Sequence, residues 1–336
     1  IGGEVHQALG YLGAKKLQRD MLSHYNLEES NAAVLLKFNE ASLNIIGGNM
    51  LTREGKLNKI KDNMVIALDN NGEMLLGLQR AKEIYGNKLP KGEKKIISDA
   101  QKYFDKAIKP EWKQTIKTNK DGYAVGDGLG KKNKDGSYKY LNMETKEGQI
   151  AASYIENIMN GLGKDKFESA LRQSTNKAEF ERLSSTSGIK FIEDGIYMTR
   201  ALTSKAKDIL AVEGKQRKRF INKLTIDIAS DRAKKKHGKN YTKEQRIEEM
   251  EYARVLAENQ FNDMVHFNAS KISIKNLKKR YSLQELYVEN EKGKLIRTYE
   301  YKFDRTVTPY VHGMSKFYAT LEMFPETIQN MKPGNG

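Results

Sequence analysis

The chain has 336 residues, a formal net charge of +16 from 59 Lys and Arg against 43 Asp and Glu, 38% hydrophobic residues and no cysteine. Without cysteine there is no disulfide framework, thiolate metal site or thiol nucleophile, and no apolar run approaches the roughly 18 residues that cross a bilayer. A pI near 9.5 and a mean hydropathy of −0.72 favour anionic partners such as nucleic acid, an acidic protein surface or anionic lipid, and the modest apolar share predicts an elongated, thin helical body or one that buries surface on partners.

The chain begins Ile-Gly-Gly rather than Met, as expected of a processed product or a piece of a longer chain. Val5, Leu9, Leu12, Leu17 and Met21 recur at helical spacing, and Asn26 with Glu29 three residues on reads as a helix start that Gly47-Gly48 stops. Asn70-Asn71-Gly72 is a turn before a helix ending at Gly86. Pro90 and Pro110 bracket another, with Ile96, Ile97, Ala100, Tyr103, Phe104 and Ile108 on one side.

Composition then shifts. Residues 118–143 are rich in Gly, Asn and Lys and carry Asn-Lys-Asp-Gly twice, at 119 and 133, which reads as tight turns in a flap or small hairpin. This stretch divides the chain into a helical domain 1–117, a flap or linker 118–143, and a second helical domain 144–336. Helices resume with GQIAASYIENIMNGLG, KFESALRQ and KAEFERL. Thr203 is an N-cap for a short helix ending before Gly214. A very basic helix follows, closed by Gly238, and Thr242 with Gln245 forms a capping box for a long helix bearing Ile247, Met250, Ala253, Ala257, Phe261 and Met264. Residues 284–303 alternate as a minor β-hairpin with Glu291-Lys292-Gly293 as its turn. Thr308 and Pro309 read as N-cap and first residue of a last helix that stops at Pro325. The expected class is mostly α, with no internal repeat.

Local motifs for chemistry are weak. GDGLGKK at 126–132 offers backbone N–H groups and lysines to an anion, but it lacks P-loop spacing and a preceding strand. Asn119, Asp121, Asn133 and Asp135 hint at calcium without completing an EF-hand set; turn chemistry accounts for them. Asp227 and Asp231 share a helix face, where the Lys and Arg around them predict charge balance on a solvated helix rather than a metal or proton-transfer pair. His6, His24, His237, His266 and His312 show no ligand spacing. No catalytic residue, metal site or cofactor is assigned.

Residues 205–246 carry +9 of the net charge, from 14 Lys and Arg against 5 Asp and Glu. Lys215, Arg217, Lys218, Arg219, Lys223, Lys234, Lys235 and Lys236 are therefore candidate phosphate contacts, sequence-blind and salt-sensitive. The alternative is a solvated helix face, and Phe220 is nearly the sole aromatic there for stacking a base.

Arg200 lies in the apolar run Ile196-Tyr197-Met198, just before the Thr203 cap. It is expected to tie this segment to a carboxylate or carbonyl of a neighbouring helix, with Glu193 and Asp194 as local options. Tyr197, Arg200 and Thr203 are thus structural candidates.

The order GIYMTRALTSKAKDIL, a basic helix, EYARVLAENQFNDMVHF and DRTVTPYVHGMSKFYATLEMFP over residues 190–325 resembles the large polyvalent proteins, the cargo or ejected polypeptides packaged in tailed-phage heads. Tyr197, Arg200, Leu202 and Thr203 match one recurring element of that family, and Arg305, Tyr310 and Val311 a second. The resemblance implies a non-enzymatic structural segment stored in the capsid or tail interior, delivered to the bacterial cytoplasm, with portal, tail or further cargo chains as partners and DNA as another. A nucleic-acid-binding module and a domain of a nucleic-acid-processing enzyme stand as alternatives.

Overall fold

In a computed structural model, the structure describes residues 31–48, 50–69, 71–118, 124–163, 195–196, 198–212, 214–265 and 286–323, and positions 169, 172 and 178. The fold is mostly helical, with small two-stranded antiparallel ladders.

A π-helical turn, Asn31–Leu36, runs into α1, Lys37–Ile46, which Gly47 ends at φ 64°. The helix start at Asn26 and the stripe before it lie outside the described residues. Next comes α2, Met50–Leu68, for which no sequence signal is read. Its C-terminal residues Met64, Val65, Ile66, Ala67 and Leu68 are all buried, so that end enters the core on every side and shows no amphipathic stripe. Asn71 and Gly72, both left-handed at φ 62° and 83°, turn the chain into α3, Glu73–Tyr85. Gly86 closes it as expected, and α4, Glu93–Ala107, lies between the two prolines. It buries Ile97, Ala100, Tyr103, Phe104 and Ala107 at steps of three and four, as an amphipathic helix must.

After a 3₁₀ turn, Pro110–Thr115, β1 (Lys117–Thr118) pairs with β2 (Ala124–Val125). The Gly-rich stretch beyond is packed. Trp112 Nε1 donates to the Asp127 carbonyl at 2.8 Å, Leu129 N donates to Asn71 Oδ1 at 3.0 Å, and Leu129 and Leu141 are buried. The second Asn-Lys-Asp-Gly is a tight turn: Gly136 has φ 84°, and Asp135 Oδ1 accepts from Ser137 N and Oγ. The first copy lies outside the described residues.

Thr145 caps α5, Lys146–Tyr154, by accepting from Gly148 N, and the helix continues as a π-helical turn, Ile155–Met159. It packs against α1 and α4, so residues on both sides of 118–143 share one core. Within it Phe38 meets Tyr154 edge-on at 5.8 Å and stacks on Phe303 at 5.6 Å. The segments KFESALRQ and KAEFERL fall outside the described residues apart from isolated helical positions.

In the second half, α6 is Ser204–Ala211, α7 Lys215–His237, α8 Lys243–Glu248 and α9 Met250–Val265. The capping box of Thr242 and Gln245 is present. It opens the short α8 rather than one long helix: the chain breaks at Glu249, whose buried carboxylate receives Arg232 and Lys236. The break displaces Ile247 from the expected stripe, leaving it 57% exposed, while Ala253, Ala257 and Phe261 are buried. The hairpin forms as expected, β3 (Tyr287–Glu289) pairing antiparallel with β4 (Leu295–Arg297). Gly293, at φ 69°, turns it. Beyond β4, Leu202 takes over as the antiparallel partner of Tyr299, with Thr203 N donating to Thr298 O and Glu300 N to Ala201 O.

The last helix, α10, spans Phe303–Met323 with Pro309 inside it. The expected start at Thr308-Pro309 is corrected by six residues upstream of Pro309. Asp62, distant in sequence, accepts from Phe303 N at 3.0 Å, and Phe303, Thr306 and Val307 are buried; a tertiary cap and core burial override the local cap signal.

Candidate nucleic-acid interface

The eight candidate phosphate contacts all lie on α7. Its inner face buries Phe220, Ile221, Leu224, Ile228, Ala229 and Ala233 against α9 and its neighbours. Phe220 is 0% exposed and meets Phe261 edge-on at 5.5 Å, so it offers no ring to a base, contrary to its place as the nearest stacking candidate. Lys215, Lys218, Arg219, Lys223 and Lys234 are exposed. Lys215, Arg219 and Lys223 recur every fourth residue and lie on one ridge.

Some of the candidates visibly serve the protein itself. The Arg217 guanidinium sits 5.0 Å over the Phe261 ring and reaches Asn262 Oδ1 at 3.4 Å. Lys235 pairs with Asp231 at 3.3 Å, and Lys236 with Glu249 at 3.0 Å. Glu249 also accepts from Arg232 Nε at 2.7 Å. The bonds from Lys236 and Arg232 hold its carboxyl below the usual glutamate range.

The macrodipole divides the helix. Its last turn holds Lys234, Lys235, Lys236 and His237, where cations are favourable; its first turn has no acid, and Gly214 supplies no side-chain cap. Lys215, Arg217, Lys218 and Arg219 therefore sit at the positive end of the dipole, an arrangement costing about 0.3–1 kcal/mol per charge. An anionic partner relieves that repulsion.

Asp227 departs from the solvated face expected for it. It is 8% exposed on the inner side of α7, while Asp231 is held by Lys235. The lysines that follow the glycines of 126–132 meet carboxylates as well: Lys131 bonds Asp127 at 3.1 Å and Lys132 bonds Glu156 at 2.7 Å. The Tyr140 hydroxyl, 2.5 Å from Asp127, joins Lys131 in holding that carboxyl below its ordinary range. Among the described residues no group of three or more His, Cys, Asp or Glu could hold a metal ion, and no helix is long and apolar enough to cross a membrane. His237 and His312 lie on different helices; His6, His24 and His266 are outside the described residues.

Arg200 is set in a buried ionic triad. Its Nε donates to Asp69 Oδ2 at 2.6 Å and its Nη2 to Glu73 Oε2 at 2.9 Å. The Arg200 side chain is 8% exposed and that of Asp69 1%. Burial alone would lower the guanidinium pKa, but the two carboxylates outweigh it and raise it. These partners flank the Asn71-Gly72 corner, so the triad fastens the 198–203 segment to the turn between α2 and α3. Glu193 and Asp194, the local options, lie outside the described residues, as does Tyr197. Thr203 accepts from Ala206 N as the cap of α6 and donates its hydroxyl to Arg297 O at 2.8 Å.

A second buried pair was missed by sequence reasoning. Glu93, in the first turn of α4, accepts from the Tyr287 hydroxyl at 2.8 Å and pairs with Arg297. Burial, then the Glu93 charge, pushes the Tyr287 phenol well above its ordinary pKa. Glu93 and Tyr287 are 194 residues apart, and neither carries a local signal of the other.

No family model, no curated protein and no solved structure matches this chain.

Proposed function

We propose that this chain is a non-enzymatic structural segment that touches nucleic acid through the charge of α7. The observation that carries the reading is the exposed cationic ridge of that helix, set opposite a fully packed inner face. Such a surface meets phosphates without reading bases, because no base-stacking ring and no acceptor-bearing side chain dominates it. The buried ion pairs around Arg200 and Glu93 support a framework role, since each joins elements far apart in sequence.

The placement follows from the phage-cargo resemblance. The chain is carried inside a tailed-phage virion beside the genome, against portal, tail or other cargo proteins, and enters the host with the DNA.

The test is fluorescence anisotropy of the full chain with labelled DNA at 50 mM salt, followed by addition of salt. The reading expects binding that salt reverses and DNA recovered at full length after incubation with Mg²⁺. No binding at 50 mM salt, or cleavage of the DNA, contradicts it.

A further inference from the structure

We infer that the outer face of α8 and α9 docks a cationic amphipathic helix of a partner protein. This goes beyond the reading of α7 and stands on different residues. Four of the ten large apolar side chains that stay exposed among the described residues fall within residues 247–256: Ile247, Tyr252, Val255 and Leu256. Tyr252, Val255 and Leu256 are three and four residues apart and so share one face of α9. That face reverses the usual arrangement. The helix turns the small Ala253 and Ala257, with Phe261, into the core, and leaves Tyr252 56%, Val255 57% and Leu256 37% exposed. A surface helix ordinarily buries its large apolar residues and shows polar ones to water. An exposed β-branched valine also favours the helix less than a straight-chain polar residue would. Neither core packing nor helix formation accounts for the stripe; burial against a second molecule does.

Charge selects the occupant. The chain is +16 overall, but residues 243–265, which span α8 and α9, hold six Asp and Glu against three Lys and Arg, a net −3. Exposed Glu251 precedes Val255 by four residues and exposed Glu258 follows it by three, so both border the stripe. Exposed Glu248 adds a carboxylate on α8. Arg232 and Arg254 reach this face and are engaged: Arg232 bonds Glu249 and lies 4.0 Å over the Tyr252 ring, and Arg254 bonds Glu258 at 3.4 Å. An apolar stripe edged by glutamates fits a helix whose own apolar stripe is edged by Lys or Arg, held by burial and oriented by charge. A second copy of the same face would bring glutamates to glutamates, and helices that lie on membranes carry Lys and Arg on their polar side instead.

The experiment adds the full chain to two labelled synthetic helical peptides and reads fluorescence anisotropy. Both peptides carry the same leucine stripe, bordered by lysine in one and by glutamate in the other. The lysine peptide is expected to bind with a Kd below about 100 μM. Its affinity should fall about tenfold or more in a variant combining Val255→Gln and Leu256→Gln, and about threefold or more in one combining Glu248→Gln and Glu251→Gln. The glutamate peptide, whichever surface it finds, should bind the parent and the Val255→Gln, Leu256→Gln variant alike. Circular dichroism and thermal melts establish that each variant is folded. If the apolar double variant is not, Val255→Gln alone replaces it, with a loss of about threefold as the criterion. No binding of the lysine peptide, a lysine-peptide affinity that either variant leaves unchanged, or loss of the glutamate peptide in the apolar variant overturns the inference. So does a parent dimer in sedimentation that the apolar variant dissolves, or binding to phosphatidylcholine vesicles that the apolar variant abolishes, since either gives the face to another occupant. None of these results bears on DNA binding by α7.

Discussion

At the scale of single residues, Arg200 is the clearest structural bet. Its guanidinium joins two carboxylates across 131 and 127 residues of sequence. Removing it strands Asp69, 1% exposed, as a buried charge without its partner at 2.6 Å. Arg200→Ala is therefore expected to cost about 3–5 kcal/mol of unfolding free energy in urea denaturation. Arg200→Lys should recover only part of that, because one ammonium cannot reproduce a two-pronged planar fork. A loss below about 1 kcal/mol for Arg200→Ala would show that the triad does not hold the 198–203 segment in place. Gly148 is the second such residue. A methyl group there would lie 1.9 Å from the Asn142 carbonyl oxygen, a backbone atom that cannot swing aside. Gly148→Ala should cost about 1–3 kcal/mol, read in the same denaturation experiment.

At the scale of elements, the break between α8 and α9 gives a pH-dependent prediction. Bonds from Lys236 and Arg232 depress the Glu249 carboxyl. In the unfolded chain this group protonates near the ordinary glutamate value of about 4.3, while in the folded chain it stays charged to lower pH. Its contribution is present at neutral pH and is lost as pH falls from that value through the folded one. Thermal melts from pH 6 to pH 3 should show a declining acid limb, shallower in Glu249→Gln; an unchanged limb would remove Glu249 from the account. The same break shows why some elements were legible and others were not. Thr203, the capping box at Thr242 and the Asn71-Gly72 turn act through neighbours two or three residues away, so sequence displays them directly. The helix α2 was not legible, because its buried end is apolar all round rather than periodic. The start of α10 was misplaced because its cap is Asp62, about 240 residues earlier. Arg200's need for a carboxylate could be anticipated from one cation in an apolar run. The identity of Asp69 and Glu73 could not, since chain topology alone brings that corner to it.

At the scale of the whole molecule, charge and core divide the labour. One contiguous set of buried apolar residues runs from Val34 to Tyr318, joining helices far apart in sequence. The excess positive charge is left outside, densest at residues 205–246. The candidate site was half legible on this scale: net charge located the helix, but only the three-dimensional structure showed which of its side chains are buried and that Lys235 and Lys236 are bonded to Asp231 and Glu249. The measurement that bears most directly on the central claim is the dependence of duplex affinity on salt for the intact chain. Each phosphate contact contributes about −0.9 to the slope of log K against log salt, so a contact made by several cations predicts a steep loss of affinity between 50 and 200 mM. A slope near zero, with affinity held across that range, would contradict a contact made by the charge of α7.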